Sequence, residues 1–120
     1  MNTKEWLKQF LTYRIETYSL AMEIDTLSKK SVPCDDLIEK LERWNKQYKL
    51  LVRIVDNIED PVARPIFRLR YICCFSWEEI ARRCRMSKRN VCYIHNKALS
   101  EVERIYRNLE VGDEQENSCI

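Results

Sequence analysis

The hydrophobic positions in the N-terminal half of the chain repeat with alternating spacings of four and three residues. One such run covers residues 6–27 and a second covers residues 37–58. This heptad spacing is typical of helices that pack side by side. Between the runs, Pro33 stops the first helix and Asp35 can cap the second. Because the connection is short, the pattern predicts an antiparallel helical hairpin over residues 1–59.

Residues 76–99 contain two short helical patterns separated by a three-residue turn. Ser76 and Glu79 form the S-x-x-E pattern of a capping box, which predicts that the first helix begins there. Ser87 can cap the second helix. Apolar and small residues then recur three and four positions apart, at Ile80, Ala81 and Cys84 on the first helix and at Val91, Ile94, Ala98 and Val102 on the second. This pattern predicts a helix-turn-helix in an all-α protein.

The apolar stripe leaves a polar face on the second helix of this motif. A helix that enters the major groove reads base edges with the side chains of its first turns. The candidate base-reading residues are therefore Lys88, Arg89, Cys92, Tyr93 and Asn96. The residues placed to contact DNA phosphates are Arg82, Arg83, Ser87 and Lys97. Lys97 lies so far along the helix that we expect it to contact only the DNA backbone and not the bases.

Positive charge is concentrated in the same part of the chain. Residues 61–108 contain 11 Lys and Arg against 4 Asp and Glu, whereas residues 1–60 contain 10 against 11. Residues 109–120 contain no Lys or Arg and 4 acidic residues. A basic block that coincides with the helix-turn-helix is expected of a module that contacts phosphate. The acidic segment 109–120 has no periodicity, and we expect a flexible tail there.

Three segments carry a resemblance to a known family. They are residues 66–72 (IFRLRYI), residues 76–81 (SWEEIA) and the stripe of Val91, Ile94, Ala98 and Leu99, and together they are similar to region four of the sigma factors. With the Asp60-Pro61 helix start and the long helical pattern before it, the chain also resembles small phage proteins of Gram-positive bacteria that carry a sigma-like C-terminal domain. ArpU-like and RinA-like late-gene regulators belong to this group.

The resemblance implies a transcription regulator of phage or prophage type. It implies a sigma-like DNA-binding domain over residues 60–108, double-stranded DNA and host RNA polymerase as partners, and Arg68 or Arg70 as phosphate contacts. Cys74 and Arg85 depart from the family pattern, because each stands where glycine is usual. If these positions keep a positive φ, each non-glycine residue there costs on the order of 1 kcal/mol.

The sequence offers little support for catalysis or metal binding. Glu78 and Glu79 are adjacent and point about 100° apart on a helix, so they do not form a carboxylate pair. His95 has no Cys or carboxylate at the spacing of a nucleophilic or metal site, and we expect it to be half-buried or to donate to phosphate. The six cysteines form no C-x-x-C pair and are interpreted as reduced thiols. We therefore predict a protein that is not an enzyme and that has no cofactor and no metal site.

Leu50, Val52 and Ile54 widen the apolar face of the second hairpin helix. This extra width predicts contact with a third element, which is either the C-terminal domain or another copy of the chain. The hairpin is thus a candidate interface for a homodimer or for a protein partner.

We expect a cytoplasmic protein without membrane contact, because no apolar run approaches the ~20 residues of a membrane span and no signal-peptide pattern begins the chain. Two alternative functions stay open from the sequence: a small terminase subunit for phage DNA packaging, and a helical protein-interaction module.

Overall fold

The computed structural model describes the backbone of residues 2–118 and the side-chain surroundings of residues 2–110. This part of the chain is all-α, as predicted, and contains no strand. None of its helices is long and apolar enough to cross a membrane. The helices are α1 (Thr3–Lys8), α2 (Tyr13–Lys29), α3 (Asp35–Asp56), α4 (Ala63–Phe67), α5 (Trp77–Cys84) and α6 (Lys88–Ser118). A 3₁₀ turn, Gln9–Thr12, joins α1 to α2, and a π-helical segment, Arg68–Ile72, extends α4.

The helices α2 and α3 pack against each other in antiparallel orientation, as the two heptad runs predict. Tyr13 at the start of α2 stacks on Tyr48 late in α3, with ring centroids 4.5 Å apart, and its hydroxyl donates to Asn45 Oδ1 at 2.7 Å. Only one flank of each helix meets the other, so the outer seam of this hairpin is half-buried rather than buried. The half-buried seam residues are Thr17, Ile24, Leu27, Leu37, Leu41 and Trp44.

Two local predictions for the hairpin are wrong. The first heptad run is not one helix, because the 3₁₀ turn Gln9–Thr12 interrupts it. The turn lets Trp6 and Phe10 pack into the central core while α2 faces α3. Asp35 is the first residue of α3 rather than its cap, a position that Cys34 occupies without a side-chain hydrogen bond. The Asp35 carboxylate still lies in the first turn, where the helix dipole favours negative charge.

One core joins the two halves of the chain. The widened face of α3 contacts the C-terminal half, because Ile54 is buried in this core and Leu50 packs at its edge. The C-terminal domain is one of the two neighbours that the sequence predicts for this face. Burial of this shared apolar surface is the main source of stability for both halves. The buried members are Trp6, Leu7, Phe10, Leu51, Ile54, Val55, Ile58, Ala63, Phe67, Tyr71, Ala98, Val102 and Ile105.

The helices α5 and α6 follow each other through a short turn and are capped as predicted. Ser76 Oγ accepts a hydrogen bond from the Glu79 N–H at 3.2 Å, and Ser87 Oγ accepts one from the Asn90 N–H at 3.1 Å. The Glu79 carboxylate binds arginine side chains of α5 instead of completing the capping box, since hydrogen bonds between two charged groups are stronger. A second small core holds α5 against α6, with Ile66, Ile80, Ala81 and Val91 buried and Cys84 and Ile94 at its edge.

Asp60 caps the segment that leads into α4, as predicted. Its Oδ1 accepts hydrogen bonds from the N–H groups of Val62 at 2.8 Å and Ala63 at 3.2 Å. These bonds lower the pKa of the Asp60 carboxyl group. The cap therefore fixes the backbone between the end of α3 and the start of α4.

The backbone is left-handed at both positions where the sequence lacks the usual glycine. The φ angle is 60° at Cys74 and 56° at Arg85, the residue that ends α5. Ser31, in the turn of the hairpin, has a φ of 59° and was not identified from the sequence. In this conformation the Cβ atom crowds the following carbonyl oxygen. The chain thus keeps the geometry that glycine would adopt and carries the strain.

We expect Arg85→Gly to raise the free energy of unfolding by about 0.5–1 kcal/mol, because glycine adopts positive φ without steric strain. The gain is limited by the greater freedom of glycine in the unfolded chain. Urea unfolding measures the change. The matched control is Arg104→Gly, at an exposed position in the interior of α6, which is expected to lower the same free energy by about 1 kcal/mol. A loss of stability in Arg85→Gly would contradict the assignment of strain to this turn.

The helix α6 continues to Ser118, so residues 109–118 are helical where the sequence predicts a flexible tail. The Tyr106 hydroxyl donates to Glu110 Oε1 at 3.0 Å across the predicted boundary. Extension of an existing helix needs no new nucleus, and Glu and Gln are good helix formers. The last two residues of the predicted tail lie outside the described part of the chain.

Candidate nucleic-acid interface

The face of α6 that points away from the core carries the residues predicted to read bases. Burial of Val91 and Ala98 fixes the rotation of the helix. Arg89, Tyr93 and Asn96 lie on the opposite side and are exposed. The Tyr93 side chain is 62% exposed, although aromatic residues of this size usually pack against other residues. The structure therefore places three polar or amphipathic side chains on one accessible face.

The two other predicted base-reading residues lie at the flank of this face. Cys92 is half-buried. Lys88 is exposed, and its Nζ lies 2.6 Å from Glu78 Oε1 at the start of α5. This hydrogen bond lowers the pKa of Glu78 and raises that of Lys88. An exposed pair of this kind is weak, so a phosphate or a base edge can compete for Lys88.

Three of the predicted phosphate contacts are held by carboxylates. Arg68 lies 2.6 Å from Asp56 Oδ1 at the end of α3. Arg82 and Arg83 share the Glu79 carboxylate, at 2.6 and 2.8 Å. All of these side chains are partly or mostly solvent-accessible. The single Glu79 carboxylate cannot accept from every guanidinium N–H group of Arg82 and Arg83, so some of these groups remain available to another acceptor.

Ser87 and Lys97 differ in whether the side chain already makes a hydrogen bond within the fold. The Ser87 hydroxyl already accepts the N–H of Asn90 as a helix cap. Lys97 is exposed, and its Nζ lies 6.0 Å from the centroid of the Tyr93 ring. Of these two residues, Lys97 has the freer side chain for contact with a phosphate.

His95 is buried, and the expectation of a half-buried residue or a phosphate donor is wrong. It is 2% exposed, and the rings of Phe67 and Trp77 lie 4.7 and 4.8 Å from its ring. Its Nε2 lies 2.8 Å from the Tyr71 hydroxyl, and its Nδ1 lies 3.1 Å from Asn96 Oδ1. A neutral ring that donates from Nδ1 and accepts at Nε2 satisfies both partners.

The titration of this buried pair agrees with a structural role. Burial lowers the pKa of His95 and raises the pKa of Tyr71 to about 12. Both groups are therefore uncharged at neutral pH. The pair fixes α6 against the π-helical segment, and the bond from His95 to Asn96 links it to the exposed face.

A cleft of about 160 Å³ lies beside His95, between α1, the π-helical segment and α6. Its lining includes Arg70, which was a predicted phosphate contact, and Lys4 and Lys8, which were not assigned from the sequence. The spacing of four residues places both lysines on one side of α1. This spacing is the only local feature of the sequence that indicates a shared role for them. Their position next to α6 depends on the tertiary fold.

Comparison with known proteins finds no relative, since no protein-family model, curated protein or solved structure matches the chain. The similarity to region four of the sigma factors therefore rests on the motif residues of the sequence. Among the described residues, no group of three His, Cys, Asp or Glu side chains is placed to hold a metal ion.

Proposed function

We propose that this chain is a sequence-specific DNA-binding transcription regulator of phage or prophage type. In this proposal α5 and α6 act as a helix-turn-helix, and α6 enters the major groove with its N-terminal end. The observation that carries the proposal is the exposed face of Arg89, Tyr93 and Asn96, which begins directly after the Ser87 cap. The opposite side of the same helix is fixed in the core, so this face is presented in one orientation.

Arg89 is the principal candidate for base reading. Its guanidinium group is exposed and makes no ion pair with a described residue. A planar guanidinium can donate two parallel hydrogen bonds to O6 and N7 of guanine. Lys88, Cys92, Tyr93 and Asn96 border it and reach the neighbouring base pairs. Phosphate contacts then surround this face, from Arg68, Arg70, Arg82, Arg83, Ser87 and Lys97.

We expect Arg89→Ala to weaken binding to the preferred site by roughly 1–3 kcal/mol and to relax the preference at one base pair. Lys97→Ala is the matched control. It removes a positive charge from the same helix and is expected to weaken binding to specific and random duplexes about equally. The preferred site is first selected from a random library, and both variants are then titrated on both duplexes. Equal losses on the two duplexes for Arg89→Ala would show that this face does not read sequence.

The hairpin fits a role in self-association. On α2, Ile15, Tyr18 and Met22 are spaced three and four residues apart and are 73%, 70% and 48% exposed. An apolar stripe on one accessible helix face is typical of a protein interface. We propose a homodimer through this stripe, which would place two copies of α6 on two half-sites of the DNA. Host RNA polymerase is the further protein partner that the sigma-like resemblance implies.

The mass of the protein in solution separates this proposal from the terminase alternative. A regulator is expected as a monomer or dimer in light scattering, whereas a small terminase subunit assembles into a large ring. The interaction-module alternative predicts no salt-dependent affinity for any duplex. DNA titration and light scattering on the full chain therefore distinguish all three functions.

A further inference from the structure

Three cationic side chains from separate parts of the sequence converge on the cleft beside α6. Lys4 and Lys8 come from α1, and Arg70 comes from the π-helical segment. The cleft also borders Cys92 and Asn96, which belong to the proposed reading face of α6. No Asp or Glu is among the described residues that line it.

Arg70 is held in a fixed position at the back of the cleft. One of its terminal nitrogens donates to the Phe75 carbonyl oxygen at 3.0 Å, and its guanidinium carbon lies 4.5 Å from the centroid of the Trp77 ring. The remaining N–H groups of the guanidinium are left to bind an acceptor. Because the side chain is already ordered, binding through it loses little conformational entropy.

Lys4 and Lys8 stand at the open side of the cleft. Both side chains are exposed, and neither makes an ion pair with a described residue. Asn2 caps α1 through hydrogen bonds to the N–H groups of Lys4 and Glu5, at 3.0 and 3.3 Å, and so it holds the start of the helix. The two ammonium groups are therefore positioned by α1 but are not neutralised by a partner.

The cations of the cleft also act on His95, the uncharged ring at its inner end. Burial is the largest cause of the lowered pKa of His95, and Lys4 and Arg70 lower it further. Arg70 also contributes to the lowered pKa of Glu78, but that carboxylate is bonded to Lys88. Three cations without a carboxylate in the lining attract an anion.

We propose that this cleft binds a phosphate of the DNA backbone, with Lys4 and Lys8 contacting the phosphate oxygens and Arg70 placed behind them. The inference rests on the proposed function, because the cleft adjoins the α6 face that would enter the major groove. Backbone phosphates border that groove, so a basic cleft next to the reading face meets one DNA strand. The N-terminal helix thus adds a DNA contact that α5 and α6 alone do not contain.

The test compares two double variants of the full chain on a mixed-sequence duplex. Lys4→Gln/Lys8→Gln removes the charges of the two lysines that line the cleft. Lys30→Gln/Lys40→Gln removes the same charge from exposed positions near the turn of the hairpin. For the first variant, we expect the slope of log affinity against log salt to become less steep by about 2, and the Kd at low salt to rise on the order of tenfold. The control variant is expected to behave as the wild-type protein does.

A third variant, Lys4→Arg/Lys8→Arg, keeps the charge and is expected to retain wild-type affinity. All the substituted side chains are exposed, so the thermal unfolding midpoints are expected to match. If the cleft variant and the hairpin control bind equally well, the phosphate contact is overturned while the proposed function stands. If the wild-type protein binds no duplex, the proposed function fails and this inference fails with it.

Discussion

The affinity for DNA is expected to fall linearly with salt on a double-logarithmic plot, with a slope near −4.5 for each subunit. This slope corresponds to about five neutralised phosphates, and it amounts to a loss of roughly 30,000-fold in affinity over a tenfold rise in salt. The physical reason is the release of counterions from the DNA when the basic block of residues 61–108 replaces them, and the phosphate contact proposed for Lys4 and Lys8 would make the slope steeper still. Fluorescence anisotropy with a labelled duplex at several salt concentrations measures the slope.

The expected number of neutralised phosphates is smaller than the number of cations in the block, because several of these cations are already paired with carboxylates. Asp56 binds Arg68, and Glu79 binds both Arg82 and Arg83. The pKa of Glu79 is lowered by these hydrogen bonds, so its carboxylate stays charged at neutral pH and competes with phosphate. Glu79→Gln is the control that removes this competition and is expected to increase the affinity. An affinity that does not change with salt would favour the interaction-module alternative.

Phe67→Ala is expected to lower the free energy of unfolding by about 3–5 kcal/mol, the usual range for a buried phenylalanine. Phe67 is fully buried, its ring stacks on His95 at 4.7 Å and lies 5.8 Å from Tyr71, and it belongs to the core that both halves share. Circular dichroism and tryptophan fluorescence during urea unfolding measure the loss, and both probes are expected to report the same transition.

Tyr93→Ala is the matched control for this experiment, because it removes another aromatic ring that is mostly exposed. Its effect on stability is expected to stay within about 0.5 kcal/mol. A loss of less than about 1 kcal/mol in Phe67→Ala would contradict the central position of this ring. The central position of this ring would also be contradicted if the hairpin stayed folded after the C-terminal half had unfolded.

Local sequence signals predicted the elements that depend on local physics. The caps at Ser76 and Ser87 follow from side-chain oxygens placed before a helical pattern. The inward stripe of Val91, Ala98 and Val102 follows from the helical period, which also determines that Arg89 faces outward. The exposed face of α6 could therefore be predicted without a structure.

Other features depend on which elements meet in the fold, and the sequence does not reveal this. The pairing of Lys88 with Glu78 spans a turn whose path depends on the left-handed backbone at Arg85. Lys4 and Lys8 line the cleft because α1 packs against α6, separated from α2 by the 3₁₀ turn Gln9–Thr12. The heptad spacing gives no sign of this break, since the hydrophobic pattern continues through it.

The shared core has a consequence for genetics. Leu51 and Val55 in α3 pack in the same buried cluster as Ala98 and Val102 in α6, so the hairpin and the proposed reading helix are not separable modules. Substitutions at Leu51 or Val55 lower the fraction of folded protein and therefore the occupancy of a binding site that these residues never touch. A screen for loss-of-function alleles would recover them alongside Arg89, and only the amount of folded protein in the cell would distinguish the two kinds of mutant.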